Sequence, residues 1–162
     1  MRHATLTLVA ALALSAPAGA AFAADQATKD DAALAAAMKA ADLEYETDED
    51  GDLKLVFELD NKRTQLALVR SRVETYGDQR IREVWAPGYK GTSGTLSAQV
   101  ANRLLADSMD SKLGGWALHD GIALFVIRIP ADAPPKVLRD AIEAAADTAD
   151  KMEAELTGKD DF

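Results

Sequence analysis

Apolar residues in the middle of this chain alternate with polar ones, as they do in strands that bury one face. In the segment 53–59 the leucines and the phenylalanine fall on one side and the charged residues on the other, with Val56 as the exception. Within Thr64–Thr75 the apolar positions change side, which predicts a β-bulge or a strand buried on both faces. These patterns predict strands at Leu43–Glu46, Leu53–Leu59, Thr64–Thr75 and Ile81–Ala86.

The stretch Leu113–Pro130 predicts a further hairpin, around which the other elements can be arranged. Its two apolar halves are joined by Asp120-Gly121, a pair typical of two-residue hairpin turns. Its second half, Ile122–Ile129, is the most apolar run outside the N-terminal segment. Pro130 would end this strand, because proline has no N–H to donate to a neighbouring strand.

Three other segments repeat apolar residues at steps of three and four, the spacing of one helix face. They predict helices at Asp30–Ala41, at Leu96–Ser108 and from Pro134-Pro135 to a stop at Gly158. The order is therefore helix, four strands, helix, two strands, helix, and the short connections favour antiparallel pairing. The sequence predicts an α+β domain, with a mainly antiparallel sheet and the helices packed on one face.

The N-terminus has the three regions of a secretory signal. A short basic start at Met1–His3 precedes a small and apolar run at Ala4–Ser15, and Ala21-Phe22-Ala23 suits a signal peptidase. The apolar run is shorter than the roughly 20 residues that span a bilayer, which disfavours a retained membrane anchor. We therefore expect a signal peptide at residues 1–23, and a single domain at 24–162 that is periplasmic and not inserted in the membrane.

Charge and cysteine content narrow the possible partners. The chain has 18 basic and 27 acidic residues and no cysteine; loss of Arg2 with the signal leaves 17 basic residues. This acidic balance argues against nucleic acid and anionic membranes, and weakly favours a basic partner. Without disulfides, stability must come from packing.

Two loops resemble ligand-binding motifs. Asp48–Asp52 resembles the start of an EF-hand loop, but Phe57 stands where the bidentate acid should be, so a hairpin turn is favoured. Pro87-Gly88 is predicted to end the fourth strand, and Gly88–Thr95 leads into a helix as phosphate loops do. It lacks the Gly-Lys-Ser/Thr order of those loops, so a helix-capping loop is favoured, with a lid or partner-binding loop as the alternative.

No catalytic constellation is evident. His119 is the only histidine after the signal, and one histidine cannot build a zinc site. No Gly-x-Ser-x-Gly pattern is present, and no pair of carboxylates stands out from the many acidic residues. We therefore predict a protein that is not an enzyme and that uses no cofactor or metal.

The aromatic residues of the strands suggest a binding surface. Ile122–Ile129 is apolar on both sides, whereas the predicted helices cover only one face of the sheet. The other face then needs another cover: a further helix, a second copy of the chain or a ligand. The candidate partner-binding residues are Trp85, Tyr89, Trp116 and Phe125, with core packing as the alternative role for each tryptophan.

The chain resembles the YbjN family of bacterial sensory transduction regulators over nearly its whole mature length. The similarity lies in Leu43–Glu46 with the Asp50-Gly51-Asp52 turn, in Val100–Leu104, in Leu113–Gly121 and in the last helix. The resemblance implies a fold like that of type III secretion chaperones, which dimerise and bind extended segments of other proteins. It implies no catalytic residues.

These observations favour a non-enzymatic periplasmic protein-binding module, chaperone-like or regulatory, which uses a sheet face or edge to hold a protein partner or a second copy of itself. The alternative is a small-ligand sensor with a pocket between the sheet and the loop 88–95.

Overall fold

The computed structural model describes residues 30–59 and 62–162, and this part of the chain confirms the predicted α+β class and element order. The predicted signal peptide at residues 1–23 lies outside it. In chain order the elements are α1 (residues 30–40), β1 (Glu46–Thr47), β2 (Leu53–Glu58), β3 (Thr64–Tyr76), β4 (Gln79–Lys90), α2 (Ala98–Asp110), β5 (Gly114–His119), β6 (Ile122–Pro130) and α3 (Pro135–Thr157).

The sheet has six strands in the order β1-β2-β3-β4-β6-β5, and every neighbouring pair is antiparallel. The predicted bulge in β3 is present, since the pairing with β4 shifts between Val69 and Val73. The predicted turn between β5 and β6 is also present, with φ of 47° at Asp120 and 80° at Gly121. The last hairpin therefore inserts β6 beside β4 and leaves β5 at the edge.

The first strand is much shorter than the predicted Leu43–Glu46, because the residues after α1 complete the helix end. The Leu43 amide donates to the Met38 carbonyl, and Asp42 has the left-handed conformation at φ 55°. This arrangement satisfies helix carbonyls that would otherwise lack donors. Only Glu46 and Thr47 remain to pair with β2.

The fourth strand is longer than predicted and continues through Pro87-Gly88 to Lys90. The pairing of β4 with β6 shifts between Pro87 and Tyr89, so the proline lies at an irregularity where a ladder N–H is not required. Its buried carbonyl accepts a hydrogen bond of 2.8 Å from Nε2 of Gln65. The expected stop at Pro87 is therefore wrong because a bulge accommodates the proline.

All three helices pack on one face of the sheet, as predicted. Helices α1 and α3 share a core with the inward residues of β2, β3, β4 and β6. Helix α2 covers the β5–β6 end, where Leu104 packs with Ala123 and with Met152 of α3. Ser97 caps α2 by accepting a hydrogen bond from the Val100 amide.

An ionic cluster fixes the C-terminal tail to the start of β3. Arg63 contacts Asp150 at 2.5 Å and Glu153 at 2.9 Å, and the Asp161 amide donates to Glu153 at 2.7 Å. The Glu153 side chain is fully buried. Its burial raises the pKa of this carboxyl above the ordinary value of 4.5, although Arg63 and the Asp161 amide act in the opposite direction.

The raised pKa of Glu153 predicts an unusual pH dependence. A carboxyl with a raised pKa binds its proton more tightly in the folded state, so its contribution to stability falls as pH rises above about 4.5. Replacing Glu153 by Gln removes this titration. We expect the stability of the parent relative to E153Q to decrease from mildly acidic to neutral pH in urea unfolding. An increase would mean that the Arg63 contact outweighs burial.

Candidate functional site

The face of the sheet opposite the helices is the candidate site. Strand alternation directs one set of side chains away from α1, α2 and α3. We call this surface the open face; among the described residues, no helix packs against it. Its members include Glu46, Lys54, Val56, Glu58, Leu66, Leu68, Arg70, Glu83, Trp85, Ala117, His119, Leu124, Val126 and Arg128.

The strand register places Trp85 near the middle of the open face. Across the strands it lies between Leu68 of β3 and Val126 of β6, and Lys54 of β2 is the next neighbour beyond Leu68. Trp85 is half-buried, whereas its cross-strand neighbour Val126 is almost fully buried. The indole therefore covers apolar sheet residues and still presents part of its own surface to solvent.

Charged and aromatic neighbours fix the Trp85 indole in place. The Arg70 guanidinium carbon lies 4.3 Å from the ring centroid, a cation–π distance. The indole Nε1 donates to Glu83 at 2.9 Å, and the His119 ring lies 5.3 Å away on β5. Each of these contacts restricts the ring, so a partner would meet a side chain that is already oriented.

Ion pairs extend this arrangement on both sides. Arg70 contacts Asp52, a buried residue of the β1–β2 turn, at 2.7 Å, and the Asp52 carboxylate also accepts from the Ser71 amide. On the other side Arg128 contacts Glu83 at 2.8 Å. Asp52 therefore helps to hold the Arg70 side chain against the Trp85 ring.

The segment Asp48–Asp52 is a hairpin turn, as predicted, rather than a calcium loop. The Asp48 carboxylate accepts from the Asp50 and Asp52 amides at 3.0 and 2.9 Å. Gly51 takes a φ of 84° that favours glycine. The carboxylate that an EF-hand would direct at a cation is here used by backbone amides.

The other three candidate residues lie on the helix side of the sheet. Phe125 is 1% exposed in the core and Trp116 packs on it edge-to-face, with ring centroids 5.4 Å apart. Tyr89 packs beside Leu104 of α2. Alternation along β6 explains the separation, because Phe125 points opposite to Val126. The four aromatic residues do not form one surface, and only Trp85 lies on the open face.

The loop after β4 lies directly against the β5–β6 turn. The Gly91 amide donates to the Gly121 carbonyl at 2.8 Å, and a Cβ placed on Gly121 would lie 2.6 Å from Cα of Gly94. The backbones touch, so they leave no ligand-sized space between Gly94 and Gly121. The proposed sensor pocket would have to lie elsewhere along this loop.

Residues 30–59 and 62–162 contain no group of three or more His, Asp or Glu side chains that could hold a metal ion. None of their helices has the length and apolar character needed to cross a membrane. His119 lies at the end of β5 with an exposed side chain, as expected for a residue beside a turn, and its carboxylate neighbour is Asp120 at 3.5 Å.

Sequence reasoning did not identify the charged residues around Trp85. Glu83 could have been found, since it lies two residues before Trp85 and therefore on the same side of a regular strand. Arg70 and His119 come from other strands, and their proximity to Trp85 depends on strand registers that include two irregularities.

Comparison of the chain with protein-family models gives no match, and comparison with curated proteins gives none either.

Proposed function

We propose that this chain is a non-enzymatic, exported protein-binding module, chaperone-like or regulatory, that holds an extended segment of a partner on its open face. The observation that carries the proposal is the partly exposed, pre-oriented Trp85 at the centre of that face. Tryptophan in such a position combines a large apolar contact area with little loss of side-chain entropy on binding.

The surroundings of Trp85 support the proposal. Leu66 and Leu68 are half-buried beside it and Val56 is 60% exposed on β2, so apolar surface continues from the centre of the face toward one edge. The antiparallel sheet with helices on one side is the architecture that a YbjN-like, chaperone-like protein would have. Periplasmic location is part of the proposal and depends on the signal sequence at residues 1–23.

A direct test measures binding of a labelled, unstructured peptide of alternating leucine and serine by fluorescence anisotropy. We expect saturable binding, and weakening by about fivefold or more in Val56→Asp, which places a charge on the apolar part of the open face. Leu105→Asp is the matched control, because Leu105 is 64% exposed but lies on α2. It should bind as the parent does.

Both substitutions are at exposed positions, and circular dichroism would verify that each variant is folded. Absence of saturable binding by the parent would contradict the proposal. A loss in Leu105→Asp with full binding in Val56→Asp would also contradict it and would place the binding surface on the helix side.

A further inference from the structure

The outer side of helix α2 carries almost no charge. A surface helix normally presents charged residues to water, and α3 does so, since six of its eight exposed residues are charged. We call the exposed residues of α2 the α2 surface. They are Ala98, Gln99, Asn102, Leu105, Ala106, Met109 and Asp110, of which only the last is charged. In a chain that is 28% charged, this surface is suited to contact with protein rather than with water.

Exposed apolar side chains are concentrated at the α2 surface and next to it. Leu105 is 64% and Met109 86% exposed on the helix. Leu113, just after α2, is 57% exposed, and Leu118 of β5 is 53% exposed. These four are half of the large apolar side chains that are exposed among the described residues. Helix α2 packs beside β5, where the Trp116 amide donates to a serine hydroxyl of the helix at 2.8 Å, so apolar surface extends from the helix toward that strand.

The other charged groups of α2 are neutralised within the molecule. Arg103 contacts Glu155 of α3 at 2.6 Å and Asp107 at 3.3 Å. Asp107 also accepts a hydrogen bond of 2.8 Å from the Trp116 indole. Two copies of a chain with a net charge of −9 repel each other unless they meet through a face with little charge. The α2 surface is such a face.

The spacing along the α2 surface suits packing against a like helix. Ala98, Asn102, Leu105 and Met109 follow one another at steps of four, three and four, so they form one line along the helix. This is the spacing with which two helices interlock their side chains. The Asn102 amide carries both a donor and an acceptor, so two copies of it can pair across a two-fold axis.

We propose that a second copy of this chain packs on the α2 surface, with the two α2 helices antiparallel about a two-fold axis near Asn102 and Leu105. This packing brings Asp110 of the partner subunit to the first turn of α2, which has no acidic residue of its own. A negative charge is favourable there because the start of a helix is partially positive. Since α2 and the open face lie on opposite sides of the sheet, both open faces of the dimer stay available to partner segments.

Sedimentation equilibrium of the mature chain over a dilution series tests the proposal. We expect a reversible dimer that dissociates about tenfold or more readily in Leu105→Asp and in Met109→Asp, because each substitution buries a charge at the interface. Val137→Asp is the matched control, since Val137 is exposed on α3, and it should dimerise as the parent does. Higher salt should tighten the parent dimer, because it screens the repulsion between two acidic copies.

Chemical cross-linking tests the position of the axis. The chain has no cysteine, so Asn102→Cys introduces a single thiol on the α2 surface. A short thiol cross-linker should join two copies of this variant. Ala154→Cys, at an exposed position of α3, is the control and should stay uncross-linked at the same protein concentration. Equal cross-linking of the two variants would contradict the proposed interface.

Three other results would overturn the proposal. They are a parent chain that is monomeric at every concentration, a dimer that Leu105→Asp leaves unchanged, and a dimer that is lost in Val56→Asp, which would place the interface on the open face. The proposed function is tested separately by peptide binding. A monomeric Leu105→Asp that still binds the leucine–serine peptide would support both proposals, and failure of either leaves the other in place.

Discussion

Truncation of Phe125 to alanine is expected to lower the free energy of unfolding by about 3–5 kcal/mol, the range for large aromatic side chains removed from a packed core. Phe125 is 1% exposed and supports the Trp116 ring edge-to-face at 5.4 Å between centroids. Its loss would leave a cavity between the sheet and α3. Urea unfolding, followed by circular dichroism, measures the change.

Val56→Ala is the control for this prediction. Val56 is 60% exposed on the open face, so its truncation should change stability by no more than about 0.5 kcal/mol. A loss below 1 kcal/mol for Phe125→Ala would show that the core around β6 relaxes to fill the cavity. Phe125 is thus expected to act on folding, although the apolar pattern of its strand made it a candidate for partner binding.

Gly88→Ala is expected to destabilise the protein by about 1–3 kcal/mol, as overpacking of a filled core does. A Cβ on Gly88 would lie 2.6 Å from Cη2 of Trp116 and 3.1 Å from the Ala149 carbonyl oxygen. One contact is with a rigid ring and the other with the backbone of α3. Neither can move without disturbing the packing of α3 on the sheet, so the unfolding midpoint should fall.

Gly115→Ala provides the comparison for Gly88→Ala. A Cβ at Gly115 would meet the Ser108 side chain at 3.4 Å, close to ordinary van der Waals contact. We expect a much smaller change in the unfolding midpoint. Equal stability of Gly88→Ala and the parent would mean that Trp116 can adopt another rotamer. A second substitution, Trp116→Leu, should reduce the destabilisation by Gly88→Ala, because a smaller side chain leaves space for the added Cβ. A double-mutant cycle measures this coupling.

Local patterns predicted the fold where burial and backbone preference agree. The alternation that begins at Leu53 correctly placed Leu53 and Leu55 in the core and left Val56 outside. The patterns failed where hydrogen bonds outside the regular strand pairing determine the path of the backbone. Leu43 completes the end of α1 instead of extending β1, and the buried amide of Gln65 compensates for the irregular path of β4 at Pro87.

The candidate site was predictable only in part. The doubly apolar pattern of β6 indicated that its second face needs a cover, but it could not show which aromatic residues lie on which side. Trp85 and Phe125 belong to neighbouring strands, and one residue of register decides whether they share a face. The pairing of β4 with β6, which is irregular between Pro87 and Tyr89, sets that register, and it involves contacts between distant parts of the chain.

The two tryptophans lie on opposite sides of the same sheet and thus act as separate optical probes. The Trp116 indole donates to Asp107 at the junction of α2 and β5, so its emission should report unfolding of the helix side. The Trp85 emission should report occupancy of the open face, because the ring is partly accessible to solvent and quenchers. A Trp116→Phe variant would keep the second signal alone, so binding could be followed without attaching a dye to the protein.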